Sequence, residues 1–435
     1  MDCKAERPAG GVRLATAFSR RAGDVRSSDP SIPDLQEHVT AALPPPATEQ
    51  SVRDTVIAWR RHLHQHPEVA FHEERTAQFV ADTLASFGGL TITRPTRTSV
   101  VARLSGSRPG PVLAIRADID ALPIEERNTH GFVSRNAGVM HACGHDGHTA
   151  MLLGAAQVLA SRRDELAGEV RFVFQHAEEL NPGGAQELVD AGVLDGVDMI
   201  VGAHLWLPMP YGQVGVRTGA LMASPDNFRI TISGRGGHAA IPHETVDAIA
   251  IAAQVITNLQ HVVARNVDPL ASAVVSVTQI AGGTTYNVIP GEAQLAGTVR
   301  TFDVELRARI PELMRRIVAG ITAAHGAEFT FEYDAGYRPV VNDAAATDLL
   351  RRAVDRALGS GVLVDAVPTM GGEDFSAYQQ RVPGSFFFIG ARNEERGIVH
   401  QHHHECFDID ERALDSGTRI FVAAALEMLG APVRS

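Results

Sequence analysis

Between His141 and His148 the chain sets three imidazoles, one thiol and one carboxylate in the run His141-Ala142-Cys143-Gly144-His145-Asp146-Gly147-His148. These are the groups that bind transition metals through nitrogen, sulfur and oxygen. One glycine separates Cys143 from His145, so an extended or turning backbone brings both to one side. The two read as co-ligands of a metal, with His141 and His148 as supporting or helix-start groups. Glu178 and Glu179 are adjacent acids. Neighbouring residues leaving a strand point to opposite sides, so one carboxylate can bind metal while the other takes a proton from water.

The elements that must carry these groups follow from hydropathy. Apolar residues recur at helical spacing over 52–66 and 73–87, predicting two opening helices. Residues 111–117 form a short, nearly all-apolar stretch of the type buried on both sheet faces, ending at Asp118-Ile119-Asp120. The His/Cys run precedes an apolar helix over 150–159. A second buried strand, 170–174, ends at His176-Ala177-Glu178-Glu179, and a third, 199–202, ends at His204. Alternating strands and helices predict an α/β catalytic domain with a mostly parallel sheet and helices on both faces. Ligands of such sheets gather outside the carboxyl ends of the strands, where these acids and His204 fall.

From 225 to 337 the rhythm changes to strand, helix, strand, strand, helix, strand: 228–233, 244–263, 273–280, 294–300, 304–324 and 329–333. That order is ferredoxin-like and predicts an inserted α+β unit between catalytic segments 51–224 and 338–435. Ser233-Gly234-Arg235-Gly236-Gly237-His238 reads as a glycine-rich turn presenting His238. Helices over 344–358 and 412–429 and a strand over 386–389 resume the first style. His402-His403-His404 precedes the last helix, so at least one of these imidazoles faces inward. Residues 1–50, rich in Arg, Pro, Ser and Asp, read as a disordered leader.

The 435 residues suffice for a large enzyme, and the formal net charge of -12 argues against nucleic acid or an anionic membrane as partner. Lys4 is the only lysine, which excludes a phosphate-binding Gly-Lys-Ser/Thr loop and a lysine Schiff base in the folded body. Cys3, Cys143 and Cys406 are too few and too far apart for a disulfide framework. With no apolar run of membrane-spanning length, the expected location is cytoplasmic.

Taken together, Arg116-Ala117-Asp118-Ile119-Asp120-Ala121-Leu122-Pro123, the His141–His148 cluster, Ala177-Glu178-Glu179, Gly202-Ala203-His204, Gly236-Gly237-His238-Ala239, Asn287-Val288-Ile289-Pro290, Gly297-Thr298-Val299-Arg300 and Gly371-Gly372-Glu373-Asp374-Phe375 resemble one family. It is the aminoacylase/carboxypeptidase family of dinuclear metallopeptidases, in its amidohydrolase branch of hippurate hydrolases, N-acetyl amino acid deacetylases and auxin-conjugate hydrolases. The resemblance covers about residues 52 to 430. It implies metal ligands Cys143, His145, Glu179, His204 and one of His402, His403 and His404; counting back from Asp410-Glu411 selects His403. It further implies Glu178 as general acid/base and His238 as an oxyanion donor reaching the partner subunit's site in family dimers. Asn287 and Arg300 match positions near the substrate carboxylate, and Asp120 a carboxylate orienting a ligand imidazole.

The implied activity is hydrolysis of N-acyl amino acids with two divalent ions, zinc or manganese, or else cobalt or nickel, in a homodimer. Rival readings are a dipeptidase or carboxypeptidase of the same fold, a thiol hydrolase using Cys143 with His145 or His204 as base, and a non-catalytic acyl-amino-acid binding protein.

Overall fold

The computed structural model describes residues 49–430, with side chains from Val52 onward. The expected leader lies outside the described residues except for Glu49 and Gln50, which open the first helix, Glu49–Gln65. Among the described residues no helix is long and apolar enough to cross a membrane.

An eight-stranded sheet forms the centre. Arg108–Asp118 pairs in parallel with Ala167–Gln175 on one side and Met199–Pro210 on the other. Met199–Pro210 in turn pairs in parallel with Gly384–Arg392. The flanks depart from the expected mostly parallel sheet. Val100–Ser105 pairs antiparallel with both Thr91–Thr93 and Ala167–Gln175, and Val214–Val216 runs antiparallel to Gly384–Arg392. The sheet is therefore mixed, with the parallel strands central, where both faces are covered.

Side chains alternate between those faces. Leu113, Ile115, Phe172, Phe174 and Phe387 join a core with the long helices Glu49–Gln65, Glu74–Ala85, His145–Ser161, Ala344–Leu358 and Arg412–Leu429. Ala114, Val173, Ile200, Phe386 and Phe388 face the opposite way, towards Leu188 and Tyr378 of the short helices Gly184–Asp190 and Ser376–Gln379. Helices thus cover both faces unevenly. Each fully buried Leu, Ile or Phe contributes about 1.5–3 kcal/mol.

A second, four-stranded sheet has the order Ala273–Gly282, Glu292–Thr301, Ser224–Ser233, Glu328–Asp334, all antiparallel. Helices Ala248–Asn266 and Val304–His325 pack on it around Ile230, Ile232, Val255, Leu259, Leu295 and Met314, a hydrophobic cluster separate from the other two. Asp247 and Asp303 start these helices by accepting hydrogen bonds from the first free backbone N–H groups. Chain order and spatial order are those of a ferredoxin-like unit.

Candidate metal centre

Gly144 has φ 96 and immediately precedes helix His145–Ser161. That left-handed turn, which a residue with a Cβ adopts only under strain, folds Cys143 back beside the helix start. His145 is the first helical residue. Its Nδ1 lies 2.9 Å from the Asp120 carbonyl and 3.2 Å from Asp120 Oδ1, while its Nε2 is buried with no hydrogen-bond partner. The bare Nε2 sits 3.9 Å from Glu179 Oε1.

His204 is arranged alike. The sequence placed it just beyond a strand; instead Met199–Pro210 runs through it, because the strand keeps pairing with Gly384–Arg392. Its Nδ1 donates to the Leu205 carbonyl at 2.8 Å, which leaves Nε2 facing Cys143 Sγ at 3.4 Å. In both rings the hydrogen bond at Nδ1 assigns the lone pair to Nε2. His148 has no such free atom: Nε2 accepts the Leu205 N–H at 2.8 Å and Nδ1 contacts Asp118 Oδ1 at 2.6 Å. Both of its ring nitrogens thus have partners within the chain. His141 is buried without partners, and burial pulls its pKa down to about 4, so the ring is neutral.

The Glu179 N–H donates to Asp120 Oδ2 at 3.0 Å, so one carboxylate serves both His145 and Glu179. Glu178 is buried beside them. Burial, then the charges of Glu373 and Glu179, holds its carboxyl well above the usual range.

The three consecutive histidines separate cleanly. His402 donates Nε2–H to the Leu205 carbonyl at 2.9 Å and lies against Trp206. His404 accepts the Cys406 N–H at Nδ1 and stacks on His400. Of the triple, His403 alone groups with Cys143 and Glu179, its Nε2 3.1 Å from Glu179 Oε1. Its φ of 66 and an N–H bond to the Ala142 carbonyl turn it there.

Two overlapping sets result, Cys143/His145/His204 and Cys143/Glu179/His403, each with its ligand atoms within 4.8 Å of one another. Nitrogen, sulfur and oxygen donors with orphaned buried atoms at His145 Nε2 and Glu179 Oε1 fit divalent transition ions. His145 Nε2 makes no hydrogen bond, and Glu179 Oε1 meets His403 Nε2 at 3.1 Å outside hydrogen-bond geometry.

These groups open onto a cavity of about 650 Å³ lined also by Trp206, Asn227, Arg300, Tyr337 and Glu373. Arg300 bonds the Asp226 and Val299 carbonyls and the Thr298 hydroxyl. His238 and Asn287 are not among the lining residues. They share an exposed ribbon of the smaller sheet unit, where Val288 pairs with His238 and the Ala239 N–H donates to the Asn287 carbonyl.

Three contributors escaped the sequence reading. Tyr337 donates its hydroxyl to the Glu178 carbonyl at 2.8 Å, and nothing in its neighbourhood marks it. Asn227 lies within the strand Ser224–Ser233, ahead of the stretch 228–233 that the sequence marks. Arg116, fully buried, bonds Gln175, Asp118 and Asp374 beneath the site; its place beside Asp118 in the Arg-Ala-Asp run was the available signal.

Residues 114–427 match the family described as peptidase family M20/M25/M40. The N-acyl-L-amino acid amidohydrolase of Geobacillus stearothermophilus is 63% identical over 291 residues, covering 67% of this chain and 79% of that protein. The N-acetylcysteine deacetylase of Bacillus subtilis (strain 168) is 44% identical over 382 residues, covering 88% and 98%. Among solved structures, a Bacillus subtilis protein described as a dinuclear metal binding peptidase is similar with a TM-score of 0.77 and 41% identity, over 87% of this chain and 98% of that one. With two candidate ligand groups arranged around Cys143 and a matching stretch that spans most of its length, this chain belongs to peptidase family M20/M25/M40.

Proposed function

We propose that this protein is a metal-dependent amidohydrolase that cleaves N-acyl amino acids to a carboxylate and a free amino acid. The observation that carries the reading is the pair of orphaned buried atoms, His145 Nε2 and Glu179 Oε1, beside Cys143, His204 and His403 and next to the buried carboxyl of Glu178. Cys143, His145, Glu179, His204 and His403 would hold two divalent ions. Such ions supply Lewis-acid chemistry, polarising the amide carbonyl and acidifying water. The soft thiolate favours zinc, while the imidazoles and carboxylate also admit manganese, cobalt or nickel.

Glu178 takes the proton of the attacking water and returns it to the leaving amine. Asp120 keeps His145 in the tautomer that bares Nε2, and its other oxygen steadies the Glu179 backbone. Arg300, on the cavity wall, meets the substrate carboxylate. Residues 225–337 act as a lid and dimerisation domain inserted between segments 51–224 and 338–435. This is supported by their separate hydrophobic cluster and by the exposed His238–Asn287 ribbon lying off the cavity of its own chain. His238 then stabilises the oxyanion in the partner's site, worth on the order of 2.7–4 kcal/mol, with Asn287 beside it. A cytoplasmic location belongs to the same proposal.

Cys143 as nucleophile is disfavoured. Burial and the charges of Glu179 and Glu178 push its thiol pKa well up, whereas nucleophilic thiols have lowered values. The test is a release assay over acetyl, benzoyl, indoleacetyl and long-chain N-acyl amino acids, with peptides ending in a free carboxylate alongside. Activity should vanish with a chelator and return with metal. Glu178→Gln should keep its metal and lose about 10²–10⁴-fold in kcat. Full activity of the chelated protein, or of Glu178→Gln, would reject the mechanism.

A further inference from the structure

Among the described residues, three that are not glycine have positive φ: Phe71 at 65, Ala177 at 50 and His403 at 66. Side chains make this conformation costly, and it persists where the surroundings over-determine it. For two of the three, the surroundings include the same atom. Glu73 Oε1 accepts the Phe71 N–H at 3.0 Å and the Ala177 N–H at 2.8 Å. The side chain of Glu73 is wholly buried, so neither bond competes with solvent.

Ala177 is the residue from which Glu178 and Glu179 leave the strand Ala167–Gln175. The two peptides that follow are held at three points by separate parts of the chain. The Ala177 carbonyl accepts the Gly184 N–H, the Glu178 carbonyl accepts the Tyr337 hydroxyl, and the Glu179 N–H donates to Asp120. Glu73 fixes the peptide before these, through the Ala177 N–H. On its other side the Phe71 ring meets the His176 ring edge-on, with centroids 5.6 Å apart, so the turn before helix Glu74–Ala85 and the acidic loop are joined twice.

We propose that Glu73 is a positioning residue: its one carboxylate oxygen holds Phe71 and Ala177 in the left-handed conformation and thereby sets the direction in which Glu178 and Glu179 enter the cavity. This inference rests on the reading of Glu178 as the proton acceptor. The required property is an acceptor oxygen at this point rather than its charge, since two N–H groups converge on it. A misplacement of about 1 Å in a reacting group can cost on the order of 100-fold in rate.

Three variants of the full chain test it. Glu73→Gln keeps an oxygen there and should retain at least about a third of kcat. Glu73→Met, of similar size but without the oxygen, should lose about 10- to 100-fold in kcat per metal-loaded molecule while KM stays within about twofold. Adding Ala177→Gly to Glu73→Met should recover several-fold of that loss, because glycine takes the left-handed conformation unaided. If Glu73→Met does not fold, it is made in a Phe71→Gly/Ala177→Gly background, where it should cost no more than several-fold in kcat, because both glycines take the left-handed conformation unaided; a 10- to 100-fold loss there would overturn the role of Glu73. Hydrogen exchange of the 175–185 segment gives a readout free of activity: it should rise in Glu73→Met and not in Glu73→Gln. A wild type inactive on every substrate would sink the amidohydrolase reading alone. Unchanged exchange in Glu73→Met, or unchanged kcat in an active protein, overturns the role of Glu73.

Discussion

Asp120 grips His145 twice, through its backbone carbonyl at 2.9 Å and through Oδ1 at 3.2 Å, both at Nδ1. The second contact depends on the side chain, which also receives the Glu179 N–H. Asp120→Ala should therefore weaken metal binding by about 10- to 100-fold, the usual effect of losing an orienting partner. Competition with a chromophoric chelator measures it. An affinity within about twofold of the parent would mean that the backbone carbonyl alone orients the ring.

The histidine triple offers an internal control. His403→Ala should lower metal stoichiometry, because this ring is the one beside Glu179 and Cys143. His404→Ala should leave it unchanged, since that ring turns to the Cys406 N–H and His400. Elemental analysis of the purified variants decides, and equal metal loss in both would refute the assignment of His403.

A pH effect on stability is expected away from the site. Burial raises the Glu126 carboxyl, but the hydrogen bond and charge of His64, with the Ser134 N–H and the Asn128 amide, outweigh it and hold the pKa down to about 2 against an ordinary 4.5. The folded value lies below the unfolded one, so the stabilisation is complete above pH 4.5 and is lost as pH falls towards about 2. Glu126→Gln should have a lower urea midpoint than the parent above that window, and the gap should close on acidification. A gap of constant size would show that the carboxylate charge is not what His64 reads.

Gly168 separates backbone strain from crowding. It has φ 101, and a Cβ there would lie 1.9 Å from the Pro111 carbonyl oxygen; Gly196 has φ 73 and nothing within 4 Å. Gly196→Ala should cost about 1–2 kcal/mol, the strain alone, and Gly168→Ala roughly 2–4 kcal/mol or more. Urea unfolding of both gives the comparison. Equal losses would mean that the strands Arg108–Asp118 and Ala167–Gln175 part without resistance.

Local signals read well where one element determines its own limits. Helices Ala344–Leu358 and Arg412–Leu429 carry enough periodicity to be bounded from sequence alone. The candidate ligand groups stand out in the sequence because their chemistry is rare in combination, and the fold brings Cys143, His145, Glu179, His204 and His403 together. His204 was placed just beyond its strand because the reading stopped the buried stretch at Gly202, whereas pairing with a strand about 180 residues later carries the ladder past it. Arg300 was matched by its motif, yet its partners are backbone carbonyls that no pattern announces. Tyr337 reaches the Glu178 carbonyl, and Glu73 the Ala177 N–H, from far along the chain, and such bonds leave no periodic trace.

Leu205 organises three imidazoles with one peptide unit on either side of its Cα: its N–H serves His148, and its carbonyl receives both His204 and His402. Because the main chain does this, replacing the leucine side chain does not delete the support. The three contacts should survive exchange of the fully buried Leu205 for another apolar residue of similar volume, yet fail completely on a single-residue insertion or deletion in Met199–Pro210, which would hand them to the wrong peptide. Within this stretch the strand's length is under tighter constraint than its composition.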